Sequence, residues 1–133
     1  MAPQAGSNEY GEFLSWLHFM STNLYVAINM GDANNFYSRN ATEEAFLVGK
    51  SIEKSNQLWA ILAKRLDAEG PWLMGENFSA LDLYAFMLCC SSRPKEVILH
   101  AEFPAIAKFA QAVRARPKLK AALEAHGVME PRS

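Results

Sequence analysis

Histidine, cysteine and glycine are scarce in this 133-residue sequence, and each scarcity removes a class of chemistry. The three histidines, His18, His100 and His126, are too scattered to form a ligand set, and neither an HExxH helix nor a paired-cysteine spacing occurs, so no metal site is expected. The two cysteines, Cys89 and Cys90, are adjacent, and neighbouring side chains on a helix diverge by about 100°, which would strain a disulfide. They read as buried free thiols in a reducing compartment. The glycines include no phosphate-cradling loop and no GxSxG elbow. Long apolar runs are missing too: residues 83–90 form the longest, far short of the roughly 20 residues a membrane span needs, and residues 1–7 have no signal-like apolar core. A cytoplasmic location without membrane contact is expected. A net charge of −1 supplies no field to gather nucleic acid. The densest basic stretch, Arg114, Arg116, Lys118 and Lys120, steps by two and is broken by Pro117, so it reads as solvated surface.

What the sequence does have is helical periodicity. Half of the residues are apolar, enough for one core that takes roughly two-thirds of the unfolded chain's surface out of water. After a linker-like segment, residues 1–7, Tyr10, Phe13, Leu14, Leu17, Leu24 and Ile28 recur at three- and four-residue steps, predicting a helix over 8–30 that stops at residues 31–35. Trp16, Phe19, Met20 and Val26 widen its apolar surface beyond one stripe, as for a helix with neighbours on two sides. Asn40 or Thr42 can cap a second helix whose seam is Ala45, Val48, Ile52, Ser55, Trp59, Leu62 and Leu66, suited to antiparallel packing on the first. Gly70 and Pro71 end it, and the apolar loop at 72–75 must tuck against the bundle.

The sharpest local signal is Phe78-Ser79-Ala80-Leu81-Asp82-Leu83. Ser79 can cap a helix, Asp82 can reach back to the Ser79 backbone N–H, and Phe78 can pack on Leu83, giving a capping box and hydrophobic staple. Loss of the Ser79 hydroxyl should cost about 0.5–2 kcal/mol. This position explains Asp82 without a catalytic role. The run that follows is apolar on every face, as in a helix buried on all sides. Two shorter helices close the structure, one opened by Pro104 with Ile106, Ala107, Ala110 and Val113 inward, the other opened by Pro117 with Leu119, Ala122 and Leu123 inward and stopped by Gly127. The reading is all-α: five to six helices around a buried central helix, one domain over 8–128 and a tail at 129–133.

Three segments in order give this pattern a family likeness. Residues 10–22, residues 72–84, and residues 103–106 with 115–123 together resemble the C-terminal helical domain of glutathione S-transferases, especially bacterial beta-class-like ones. In that family a thioredoxin-like N-terminal domain binds and activates glutathione, and the resemblance implies that this sequence begins where the helical half begins. Glutathione would then be a co-substrate only with such a domain. Beta-class relatives often carry a His-Lys pair where this sequence has Tyr25 and Val26, and an Arg-Trp pair where it has Cys90 and Ser91.

Trp16, Phe19, Met20, Asn23 and Tyr25 are, by that resemblance, the candidate wall of an apolar ligand site. Three functions follow as expectations. The chain is a non-catalytic module for apolar ligands or protein partners. Alternatively it is part of a glutathione transferase acting on electrophiles when joined to a thioredoxin-like domain. As a third reading it is a docking scaffold. A homodimer is compatible with each; no catalytic residue is assigned.

Overall fold

The computed structural model of the protein describes residues 1–32 and 34–133, and at 34 and 35 the backbone alone. Among the described residues it is all-helical, with no strand beyond two isolated bridges in one loop. α1 (Asn8–Phe19), a π turn (Met20–Leu24) and α2 (Tyr25–Asp32) follow one another in continuous helical backbone. Ser7 opens the run, its hydroxyl accepting the Tyr10 N–H at 3.1 Å. The helix expected over 8–30 is therefore present, with a π turn that its apolar spacing did not reveal.

The expected stop after residue 30 falls differently. Gly31 and Asp32 are still helical, and Ala33 lies outside the described residues. Gly31 serves close packing, since a Cβ there would stand 2.5 Å from Ser51 Oγ, whose hydroxyl donates to the Ala27 carbonyl at 2.6 Å. That contact draws α2 onto α4 (Ala41–Glu69), beyond the single turn of α3 (Asn34–Tyr37). Asn40 caps α4, its Oδ1 accepting from the Thr42 and Glu43 amides at 3.1 and 3.0 Å. Of the expected seam, Ser55, Trp59 and Leu62 are buried, Val48, Ile52 and Leu66 half-buried, and Ala45 exposed. The seam thus engages from Ser51 onward, and the first turns of α4 stay open to solvent.

The Gly70 amide closes α4 on the Leu66 carbonyl at 2.9 Å. The loop that follows folds on itself through bridges pairing Trp72 with Gly75 and Met74 with Asn77, and it buries Leu73 completely. α5 (Ala80–Cys90) is the buried central helix, packed against α1, α6 (Glu96–Glu102) and α7 (Pro104–Arg114), with one correction: Met87 reaches solvent at 46% exposure, so the helix is not covered on every side. α7 opens on Pro104 as expected, and a 3₁₀ turn (Pro117–Leu119) leads into α8 (Lys120–Ala125). Gly127, at φ +64°, ends the chain of helices while the Val128 amide returns to the Leu123 carbonyl at 3.0 Å. Ala122, expected inward, is exposed, and Leu123 alone fills that position of the core.

Met20, Leu24, Trp59, Leu62, Leu81, Leu88, Leu99, Ile106 and Val113 are each at most 1% exposed and form the centre of the core. Burying side chains of this size contributes about 1.5–3 kcal/mol apiece.

Candidate functional site

The candidate wall lies on the α1–α2 rod, and its local geometry is set by the π turn. There the Tyr25 amide bonds five residues back, to the Met20 carbonyl. The Thr22 and Ser21 hydroxyls donate to the His18 carbonyl at 2.6 and 3.3 Å, and Asn23 Nδ2 donates to Thr22 Oγ1 at 3.1 Å. Ser, Thr and Asn compete with helical backbone for hydrogen bonds, and three in succession are the sequence signal for this irregular turn.

The five residues do not share one environment. Met20 is fully buried and forms the floor beneath the surface, so it offers nothing to a ligand in this conformation. Trp16 and Phe19 are half-buried and meet edge to face, their rings 5.7 Å apart. Asn23 and Tyr25 are exposed. Tyr25 and Val26 are 46% and 47% exposed, and Met30 is 40% exposed. Tyr84 of α5 belongs to the same neighbourhood: burial, and then the nearby Tyr25 phenolate, push its phenol above the ordinary value. Trp16 is held from α4 by Arg65, whose guanidinium lies 5.7 Å from its ring and pairs with Glu12 and Glu69, both at 2.6 Å.

The structure supplies two polar arrangements at the starts of α5 and α6. At the first, the capping box is complete: Asp82 Oδ2 accepts the Ser79 amide at 2.6 Å and the Leu81 amide reaches Ser79 Oγ at 3.2 Å. Asp82 Oδ1 also takes the Leu73 amide at 2.9 Å, tying the apolar loop to the helix. Burial outweighs these hydrogen bonds and leaves the Asp82 carboxyl above its ordinary range. Phe78 and Leu83 are both half-buried, and the Phe78 ring stands edge-on to Trp72 at 4.8 Å.

The second arrangement escaped the sequence reading, as did α6 itself. Glu96, with its side chain fully buried, accepts from Arg114 Nη2 at 2.7 Å and from the Arg132 amide at 3.1 Å; His100 Nε2 stands 3.4 Å away without donating to it. Arg114 therefore belongs to the interior, with its guanidinium 4.9 Å from the Phe86 ring, and Arg116 lies 3.7 Å over Phe78. The reading of the basic stretch as solvated surface holds for Lys118 and Lys120, both exposed, and fails for the two arginines, whose partners lie far off in sequence. Cys89 is fully buried and Cys90 half-buried; burial first, then the negative charge of Glu96, raise both thiols, Cys90 to about 11. Among the described residues no three His, Cys, Asp or Glu side chains are grouped to hold a metal, and no helix is long and apolar enough to cross a membrane.

Fold and site together define an all-α bundle with several apolar side chains exposed along its first helical run. Comparison with known proteins gives that class a family. The sequence model of the glutathione S-transferase C-terminal domain matches residues 30–126, well over half of the chain, and the chain belongs to that family. None of the curated proteins compared with it matches significantly. Among solved structures, a ternary complex of BphK, a bacterial glutathione S-transferase, is similar at a TM-score of 0.78 and 25% identity, over 95% of this chain and 58% of that one. A glutathione transferase from Methylococcus capsulatus strain Bath is similar at a TM-score of 0.69 and 25% identity, over 96% of this chain and 59% of that one. The chain thus spans less than two-thirds of either structure.

Proposed function

We propose that this domain is an apolar binding module: it offers a hydrophobic wall to small apolar ligands or to a protein partner and does not turn over substrate by itself. The observation that carries this reading is the exposure of Tyr25, Val26 and Met30 on α2, in the helical run that also carries the half-buried Trp16 and Phe19 on α1. Large apolar side chains left in water mark interaction surface where they form a contiguous patch. The two thiols are raised and at least half-buried, so neither is a ready nucleophile.

A titration of the purified chain with an apolar fluorescent dye and, separately, with glutathione tests the proposal. Saturable dye binding that weakens in Tyr25→Ser and Val26→Ser, with no glutathione binding and no turnover of a chromogenic electrophile, supports it. Turnover by the chain alone would defeat it.

A second reading, the electrophile-side half of a glutathione transferase, is favoured by the match to just under three-fifths of two transferase structures. On this reading a thioredoxin-like domain supplies the bound thiol and these exposed side chains face the cleft between them. Adding such a domain in trans should produce glutathione-dependent turnover; a flat signal speaks against it. Self-association through the same side chains is a third outcome, which light scattering across concentration detects.

A further inference from the structure

The residues after Gly127 do not trail into solvent. They cross the ends of α5, α6 and α7 and are fastened at four points. Arg114 Nε donates to the Val128 carbonyl at 2.9 Å, the Arg132 amide donates to Glu96 Oε2 at 3.1 Å, the Val97 amide donates to the Arg132 carbonyl at 3.2 Å, and Lys95 Nζ donates to the Ser133 carbonyl at 2.7 Å. Two of the four involve Glu96 or its partner Arg114, so one buried ion pair organises the crossing. The segment itself is lightly packed. Val128 is buried and Met129 half-buried, whereas residues 130–133 are exposed. A backbone held by a few polar bonds over little apolar contact belongs to the low-stability end of a fold and opens without global unfolding.

Cys90, at the last turn of α5, lies where the segment crosses. It lines the cleft it shares with Phe86, Leu123, Val128 and Arg132, and also the neighbouring cleft bounded by Ser92, Lys95, Glu96 and Arg132. Cys90, Ser91 and Arg132 line both clefts, and of these Arg132 alone belongs to the crossing segment, which therefore runs between the two clefts beside Cys90.

We propose that residues 128–133 form a releasable strap, latched by Glu96, whose opening uncovers the Cys90 thiol to small electrophiles and oxidants. Closed, the strap keeps the thiol in a partly desolvated site beside the Glu96 carboxylate, where ionisation is disfavoured. Open, the site gains water and the thiol falls back toward its ordinary value of 9.0, so the thiolate fraction at pH 8 rises. Cys89, fully buried among core side chains, stays covered in both states and reports global unfolding.

The test is the labelling rate of each cysteine by a chromogenic aromatic disulfide at pH 8, resolved by peptide mass spectrometry. Arg132→Pro removes the amide that Glu96 accepts at an exposed position and should raise Cys90 labelling about tenfold or more, with Cys89 unchanged. Arg132→Ala keeps the amide but deletes a cation that favours the thiolate, so labelling stays level or slows. Glu96→Gln should also accelerate Cys90 selectively, and if that variant does not fold, Arg132→Pro decides alone. Cys90 labelling in Arg132→Pro equal to wild type, or a rise shared equally with Cys89, overturns the proposal.

Discussion

Two helices of this bundle begin on a buried carboxylate, and they are built from opposite materials. Asp82 at the start of α5 is met by neutral donors, the Ser79 and Leu73 amides and the Ser79 hydroxyl, two of them within three residues of it. Glu96 at the start of α6 is met by the guanidinium of Arg114 and the amide of Arg132, 18 and 36 residues away. The first is a local device that shapes its own helix terminus; the second is a tertiary clasp, and α6 has no side-chain cap apart from it. A buried acid held by neutral amides costs desolvation and gains geometry, whereas one held by a buried cation leaves a second uncompensated charge behind if it is removed.

The largest expected effect therefore falls on the second carboxylate. Glu96→Ala should lower unfolding stability by about 3–5 kcal/mol in urea titration, because Arg114 stays interior without its partner. Replacing both, Glu96→Met with Arg114→Met, should recover most of that loss, since apolar residues of similar volume substitute for a buried pair at little net cost. A cost below about 1 kcal/mol for the single variant would show that the pair does not fasten α6 to α7.

Asp82→Ala comes next, at roughly 2–3 kcal/mol, because it strands the Ser79 and Leu73 amides in a dry site. Hydrogen exchange discriminates the two regions: the Leu73 amide should lose protection in Asp82→Ala and keep it in Glu96→Ala. If both amides stay protected, the capping box is not what docks the loop.

The same contrast explains what could be read from the sequence. Asn40, Ser79, Pro104 and Gly127 act within a few residues of themselves, and each set its helix end where expected. Tertiary neighbours decide the rest. Seven-residue α6 buries only Leu99 and Glu96 and presents Val97 and Ile98 to solvent, so no amphipathic stripe announces it. Arg114 reads as surface charge until α6 folds against it. In the wall, Trp16, Phe19 and Met20 were legible as apolar helix surface, but which of them sinks depends on the π turn and on α4, and only the run of Ser21, Thr22 and Asn23 hinted at that turn. Gly31 read as a stop because close helix packing and chain termination use the same residue.

The smallest effect is a pH slope, and there the two regions pull in opposite directions. Burial chiefly, and Arg114 after it, hold His100 below its ordinary 6.5 against the opposing pull of Glu96, so the folded state binds a proton less readily than the unfolded chain. Its contribution to stability is full above 6.5 and is lost as pH falls through the folded value. Asp82 behaves in reverse: raised above 3.8, it favours the folded state when protonated, and that contribution fades as pH rises through the folded value. His100→Gln should accordingly flatten the decline in urea midpoint on acidification below 6.5, while leaving the rise that Asp82 provides at lower pH. A decline that survives unchanged in His100→Gln would assign the acid sensitivity to groups outside the α6–α7 clasp.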